Sequence, residues 1–360
     1  MSNCWVEIDL KAISNNFSFI KKIVSPSKVC AVIKADAYGH GAVPIAKALN
    51  ADMFGVFSLD EGVILRNGGV DKPILILGPS MEEEVFDIVQ YNLIPNVFTK
   101  EFLIALSKIP SKVKCHIKVD TGMGRIGISF DNAIEFIKEA VSYSNIDVEG
   151  IFSHLATSYL KDKSYALEQF RKFSYLIEQL KCIGIEIPIK HIANSAAILS
   201  LPEMNLSMVR PGILLYGLMP SDDMEKVPVK PAMSFKTRLV SVRRFPKGSG
   251  ISYGKTYVTK KDSIIGVIPV GYTHGLRRNL SNKGYVLVGG KRVKIVGTLC
   301  MDMTMIDLSD ILDISIGDEV VIFGTQDNET ISVDEIAKFC ETINYEIITG
   351  INPKIPRVYI

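Results

Sequence analysis

Between residues 29 and 209 short apolar runs alternate with amphipathic stretches, and this rhythm limits what the chain can fold into. The strand-like runs fall at 29–33, 53–57, 73–77, 94–98, 113–119, 148–152 and 187–192, with a weaker one near 206–209. Helix-periodic stretches follow them at 42–50, 59–67, 81–90, 99–107, 130–142, 165–183 and 194–199. About eight βα units in some 200 residues have the length of a (β/α)8 barrel, whose functional groups gather where the strands end at their C-termini. An open doubly wound sheet has a similar rhythm, and the count of units favours closure.

After Pro211 the pattern changes. Residues 220–231 are rich in proline and charge and read as a linker, and the later runs are short, β-branched and separated by turns (235–242, 263–270, 285–288, 293–296, 303–308, 319–323). Gly289-Gly290 reads as a hairpin turn, and one helix is expected at 333–341. The expected organisation is a barrel over 1–232 and a mostly β domain over 233–360. The alternating first strand at 3–10 is a candidate to join the second domain, with a helix at 11–23 after it.

Composition narrows the class. A hydrophobic content of 47% and a formal charge of +2 describe a globular protein without the basic field that nucleic acid or membrane surfaces require. No run of about 18 apolar residues is present, and the first eleven residues, with Glu7 and Asp9, lack a signal-peptide core. Six scattered cysteines without CxxC pairs fit reduced thiols in the cytoplasm and speak against zinc.

Several segments carry possible chemistry. Residues 29–41, VCAVIKADAYGHG, end a buried strand on Lys34. Such a lysine either snorkels to solvent or is an amine poised to form a Schiff base with an aldehyde cofactor. Residues 118–127, KVDTGMGRIG, match GxGxxG, but Arg125 interrupts the glycines and the strand ends in Lys118 and Asp120. A loop bringing Arg125 to a carboxylate is the better reading, because guanidinium binds carboxylate bidentately. His154 and His191 each close a strand, as satisfied rim histidines or as orienting groups. Asn194-Ser195 opens a helix, as a plain N-cap or a phosphate site. Arg210 ends the last barrel strand before Gly212-Ile213, as a salt-bridge partner or as a fixed cation aimed at a cofactor ring nitrogen. Tyr253 and Tyr272 sit beside glycines in the β domain, where a tyrosine either packs or acts as a general acid/base.

The segments AVIKADAYGHG, KVDTGMGRIG, SHLAT, HIANSAA, RPGILLYG, SYG.TY, GY..G and CMD occur in this order across both domains. In this the chain resembles the alanine racemase family of fold-type III pyridoxal-phosphate enzymes along nearly its whole length. The resemblance implies that Lys34 holds pyridoxal phosphate as a Schiff base. Tyr38, Asn194, Ser195, the backbone at Gly212-Ile213, and Tyr359 would lie around the phosphate. Arg210 would face the pyridine nitrogen with His154 helping to hold it. A guanidinium there gives up no proton, so the ring is a weaker electron sink and reprotonation at Cα is favoured over transamination.

The resemblance also implies two bases, Lys34 for the D-enantiomer and Tyr253 of a second subunit for the opposite face, hence a head-to-tail homodimer. Arg125, the Met301 backbone amide and Tyr272 would bind the amino-acid substrate, and Lys118 matches a position that is often carbamylated. The chain departs from the family pattern at His274, where an acid is usual, and at Pro353, where several relatives carry a tyrosine that narrows the pocket. A roomier pocket would admit serine or larger amino acids. The expected activity is interconversion of L- and D-alanine, the D form supplying peptidoglycan. A serine or broad-specificity racemase, a non-catalytic pyridoxal-phosphate carrier and a decarboxylase of the same fold type are the alternatives.

Overall fold

The computed structural model describes residues 3–360 and divides into two compact units. One comprises 12–37 and 41–231; the other comprises the described residues up to Lys11, Tyr38–His40 and Ala232–Ile360.

The first unit is a closed parallel barrel of eight strands: Lys28–Val32, Met53–Val56, Ile74–Ile76, Asn96–Val97, Val113–Asp120, Ile146–Phe152, Ile189–His191 and Met208–Val209. Two isolated bridges complete the ring, Leu75 to Ile94 and Asn194 to Arg210, and the eighth strand pairs with the first through Met208–Lys28 and Val209–Val29. This excludes the open sheet. Cys30, Met53, Leu75 and Met208, from four of the staves, pack as one apolar layer with Ile94, which leads into a fifth. Helices follow the strands where apolar residues recur at helical spacing. Ser58 and Thr99 cap two of them by accepting from the backbone N–H of Glu61 and Phe102.

Local details refine or correct the expectations in both units. The stretch at 81–90 is a 3-10 turn, Glu82–Glu84, and then a helix, Val85–Gln90, because the Glu84 carboxylate folds back onto the Met81 N–H at 2.6 Å. The GxGxxG segment serves no dinucleotide: Asp120 accepts from the N–H groups of Gly122, Met123 and Gly124, each at 2.8 Å, and so occupies the amides a pyrophosphate would need. The turn after Lys34 is a left-handed helical turn, Lys34–Gly39, in which Ala35, Asp36, Ala37 and Tyr38 all have φ between 50° and 54°.

Left-handed backbone costs about 1–2 kcal/mol for each residue with a Cβ. Local hydrogen bonds offset that cost. The Ala37 N–H donates to Ile33 O at 2.8 Å, the Gly41 N–H to Asp36 O at 2.9 Å, and the Ala42 N–H to the Asp36 carboxylate at 2.7 Å.

The second unit is mostly β. Its largest sheet runs in the order Lys291–Lys294, Tyr285–Val288, Glu319–Gln326, Met233–Arg238, Cys4–Ile8, Arg357–Tyr359, with Glu329–Ile331 added to Glu319–Gln326. The strand Cys4–Ile8 pairs antiparallel with Met233–Arg238 and parallel with Arg357–Tyr359. Gly289 and Gly290, at φ 55° and 70°, form the tight turn of the hairpin Tyr285–Val288 and Lys291–Lys294.

The run at 235–242 is two strands. Met233–Arg238 stays in the large sheet, and after buried Leu239 the chain enters a three-stranded sheet as Ser241–Phe245, beside Ser263–Ile268 and then Thr304–Asp307. Besides Val333–Phe339 there is a second helix, Asn344–Thr349, which the sequence pattern did not announce. Among the described residues no helix is long and apolar enough to cross a membrane, no His/Cys/Asp/Glu cluster could hold a metal, and none of the six cysteines forms a disulfide.

Candidate active site

A set of titratable side chains gathers at the C-terminal ends of the barrel strands. Lys34 follows the first strand, Lys118 and Asp120 close the fifth, His154 follows the sixth, His191 ends the seventh and Arg210 follows the eighth. Lys118, Asp120, Met123, Arg125, Ser153 and His154 line one shallow cleft.

Arg210 is buried and held from several sides. One terminal nitrogen donates to His191 Nδ1 at 2.7 Å; the other reaches Ser153 O at 2.7 Å, and His154 Nδ1 and Ile192 O at 3.3 Å each. Its Nε–H is in none of these bonds. Burial lowers the Arg210 pKa to about 10, still far enough above neutrality to keep the guanidinium charged.

The donors set the histidine tautomers, because guanidinium can only donate. His191 Nδ1 is therefore an acceptor, so its Nε2–H donates to His116 Nδ1 at 2.8 Å. His116 then presents Nε2–H toward Glu149 Oε1 at 3.5 Å, longer than a good hydrogen bond. Glu149 also pairs with Lys114 at 2.7 Å. Both His154 and His191 are held well below the usual imidazole range, by burial first and then by Arg210, which keeps them neutral. His191 stacks on Phe152 with centroids 4.7 Å apart, and Lys118 and Arg210 lie 5.3 and 5.2 Å from the same ring.

The two lysines carry depressed pKa values for related reasons. Burial lowers Lys34, and Arg125 lowers it further, against a smaller opposing pull from Glu61. Lys118 falls to about 7, through burial first and then the positive charges of Arg210, Arg125 and Lys34. Glu61 was not singled out in the sequence. Its carboxylate accepts from Ala35 N at 2.7 Å and Phe57 N at 2.6 Å, tying the turn after Lys34 to the loop after the second strand.

Near the eighth strand, Ser195 Oγ accepts from the backbone N–H of Gly212 at 2.9 Å and Leu214 at 3.4 Å, where the 3-10 turn Ile213–Tyr216 begins. Asn194 Oδ1 caps the helix Ser195–Ser200 through Ala197 N and accepts from Ser158 Oγ. Four cations, a hydroxyl and clustered backbone N–H groups, with Asp120 already occupied, suit anionic groups. A lysine with a lowered pKa suits a carbonyl carbon. These donors fit an organic phosphate bearing an aldehyde.

In the β unit, Tyr253, Tyr272 and Met301 lie on neighbouring loops. Tyr272 N–H donates to Cys300 O at 3.2 Å, and Thr273 donates to Met301 O through its N–H at 3.1 Å and its hydroxyl at 3.0 Å. His274 Nδ1 accepts from Gly271 N–H at 3.3 Å and so helps close the 3-10 turn Tyr272–His274. Tyr253 is 72% exposed and Met301 53%. Tyr38 and Tyr359 lie elsewhere in this unit. Tyr38 is buried beside Tyr345, with centroids 6.1 Å apart, and burial pushes its phenol up to about 12. Tyr359 sits on the strand Arg357–Tyr359, in register with Ile8.

A closed barrel whose mouth offers a partly desolvated lysine within a ring of cations, in a chain that adds a β-rich unit, has the groups that an enzyme acting on anionic, carbonyl-bearing ligands through an amine would need. Comparison with known proteins narrows this further. The family model of the alanine racemase N-terminal domain matches residues 8–220, and that of the C-terminal domain matches 232–359. The alanine racemase of Halothermothrix orenii is 45% identical over 99% of this chain and 96% of its own length. That of Carboxydothermus hydrogenoformans is 42% identical over 100% of both. Among solved structures, alanine racemase from Clostridium difficile superposes with a TM-score of 0.95 at 37% identity, covering 100% of this chain and 96% of that one. The Bacillus anthracis alanine racemase, solved with bound L-Ala-P, gives 0.94 at 39% identity, covering 100% of this chain and 95% of that one. The chain belongs to the alanine racemase family.

Proposed function

We infer that this chain interconverts L- and D-alanine with pyridoxal phosphate as its cofactor, and that its D-alanine supplies peptidoglycan. The observation that carries this reading is Lys34, with its lowered pKa among the cations of the barrel mouth, in a chain of this family. Bound pyridoxal phosphate withdraws electrons from the substrate Cα and so acidifies its hydrogen.

The residues divide that work. Lys34 Nζ would hold the aldehyde carbon of the cofactor. Ser195 Oγ and the Gly212-Ile213 backbone would hold its phosphate, with Tyr38 and Tyr359, and Asn194 supports Ser195 by capping the helix it opens. Arg210 Nε–H would face the ring nitrogen. Because the guanidinium stays charged, it gives the ring no proton, which limits electron withdrawal and favours return of the proton to Cα. Its bonds to His191, His154 and Ser153 O fix its plane. Arg125 and the Met301 N–H would bind the substrate carboxylate beside Tyr272.

One base returns a proton to the face it left, so inversion needs two. Lys34 Nζ takes the Cα proton of the D-enantiomer and the Tyr253 phenol oxygen that of the L-enantiomer. The exposure of Tyr253 in the single chain supports its delivery to a second copy, in a head-to-tail homodimer. Six cysteines without a disulfide support a reducing, cytoplasmic setting.

The test is turnover by the protein loaded with pyridoxal phosphate, followed as D-alanine formed from L-alanine and compared with serine. A hydroxyl added to a small pocket changes specificity by only about 1–3 kcal/mol, so slow serine racemisation is expected. Equal efficiency on serine overturns the alanine assignment, and a protein that binds the cofactor without racemising either amino acid is a carrier.

Lys118 gives a second prediction. With its pKa near 7 the amine is largely neutral above that pH and can attack carbon dioxide, forming an N–C bond and releasing one proton. The resulting carbamate would be an anion among Arg125, Arg210 and Lys34. Intact mass measured under bicarbonate should show one added carbon dioxide, fading as pH falls below about 7 and the amine protonates. An unmodified Lys118 at pH 8 in bicarbonate sinks this prediction. The same shift makes the unmodified fold gain stability as pH rises from about 7 toward 10, because the unfolded lysine still binds its proton there.

A further inference from the structure

Ser252, the residue before Tyr253, has φ 66° and ψ −177°. That region of backbone space is essentially reserved for glycine, and a residue with a Cβ persists there only when its surroundings over-determine it. Two bonds from Thr298 do so. Ser252 Oγ donates to Thr298 O at 2.5 Å, and Thr298 Oγ1 donates to Tyr253 O at 3.0 Å, so one residue grips the chain on both sides of the Tyr253 Cα. Gly297 makes the close approach possible, since a Cβ there would lie 2.7 Å from Ser252 Cβ. Asn282 holds the Thr298 side of the grip through Gly297 N at 2.6 Å, and its amide donates to Thr256 Oγ1, 3.1 Å from Thr298 Oγ1. Gly254 and Lys255 follow with φ 71° and 49°, so three of the four residues 252–255 have positive φ, with only Tyr253 outside that region.

We propose that Ser252 and Thr298 are positioning residues for the Tyr253 phenol: their paired hydrogen bonds lock a strained turn that aims it at the substrate Cα. The proposal rests on the reading of Tyr253 as the second proton-transfer group. The same clasp leads directly into 299–301, so it ties the phenol to the segment bearing the Met301 amide. A turn that relaxed toward ordinary backbone would swing the phenol while leaving the rest of the unit folded.

The variants are Ser252→Ala, Ser252→Gly and Thr298→Val in the loaded enzyme. Ser252→Ala keeps the unfavourable φ without the bond that maintains it. Ser252→Gly tolerates that φ and guards against failure to fold. Misplacement on the order of 1 Å lowers rates by about 10²-fold, and losses approaching this are expected for Ser252→Ala and Thr298→Val, with a smaller loss for Ser252→Gly. The deciding readout is the isotope effect with α-deuterated alanine in each direction. It should rise from the L-enantiomer, where Tyr253 takes the proton, and fall from the D-enantiomer. Unchanged rates, or lost rate with both isotope effects unaltered, overturn the proposal. Tyr253→Phe separates the two levels. If it racemises normally, the reading of Tyr253 fails; if it is inactive while the three variants match wild type, only the positioning proposal fails.

Discussion

Replacing Lys34 with alanine is expected to reduce racemisation by more than about 10⁴-fold, because in the proposed mechanism one amine both holds the cofactor's carbonyl carbon and moves a Cα proton. Stability should not fall with it. Lys34 is partly desolvated and repelled by Arg125, so its removal relieves electrostatic cost in the apo protein. Three measurements check this: turnover, the thermal midpoint without cofactor, and the mass of the borohydride-treated protein. The treated wild type should carry the reduced cofactor on the peptide containing Lys34, and the variant should not. A variant that turns over at a tenth of the wild-type rate, or wild-type protein labelled on another lysine, contradicts the assignment.

Tyr253→Phe should separate proton exchange from inversion. The phenol's contribution as acid or base corresponds to about 10²–10⁴-fold in rate. Lys34 remains in this variant, so D-alanine in deuterated water should still exchange its Cα hydrogen while keeping its configuration, and L-alanine should exchange far more slowly. Loss of exchange from both enantiomers would place Tyr253 in binding or folding instead. The phenol is 72% exposed in the single chain, so its removal should leave the thermal midpoint of that chain within about 0.5 kcal/mol-equivalent of wild type.

The barrel could be read from the sequence because its signal is long and repeated. Each buried strand reads as an apolar run, and each following helix shows its own period, so errors of a residue or two at the ends leave the count intact. Lys34, Lys118, Arg125, His154 and Arg210 were also visible, as titratable residues placed at or just after strand ends. The left-handed turn after Lys34 was not. Four successive residues with side chains at positive φ have no sequence signature, and only the bonds from Asp36 and Glu61 reveal how they are held.

Glu61 reads as an ordinary acid in the first turn of a helix, yet that helix starts at the barrel mouth, which was the available clue. His116 lay inside VKCHIKVD, where a titratable ring amid apolar residues marks a buried polar partner, but naming that partner needed the seventh strand, which lies one stave beyond its own neighbour. Ser252 stayed invisible because its conformation is set by Thr298, 46 residues later.

The position of Cys4–Ile8 between Met233–Arg238 and Arg357–Tyr359 bears on biosynthesis. During vectorial synthesis this strand is made ahead of the whole barrel, and its antiparallel partner follows more than 200 residues behind, on the order of 10–50 s at ribosomal speed. Its other neighbour is made after every other strand of the sheet, so the β-rich sheet cannot be completed until Arg357–Tyr359 has emerged, whereas every stave of the barrel is already out. A nascent chain arrested just short of Arg357 would therefore carry a complete barrel and an unfinished sheet.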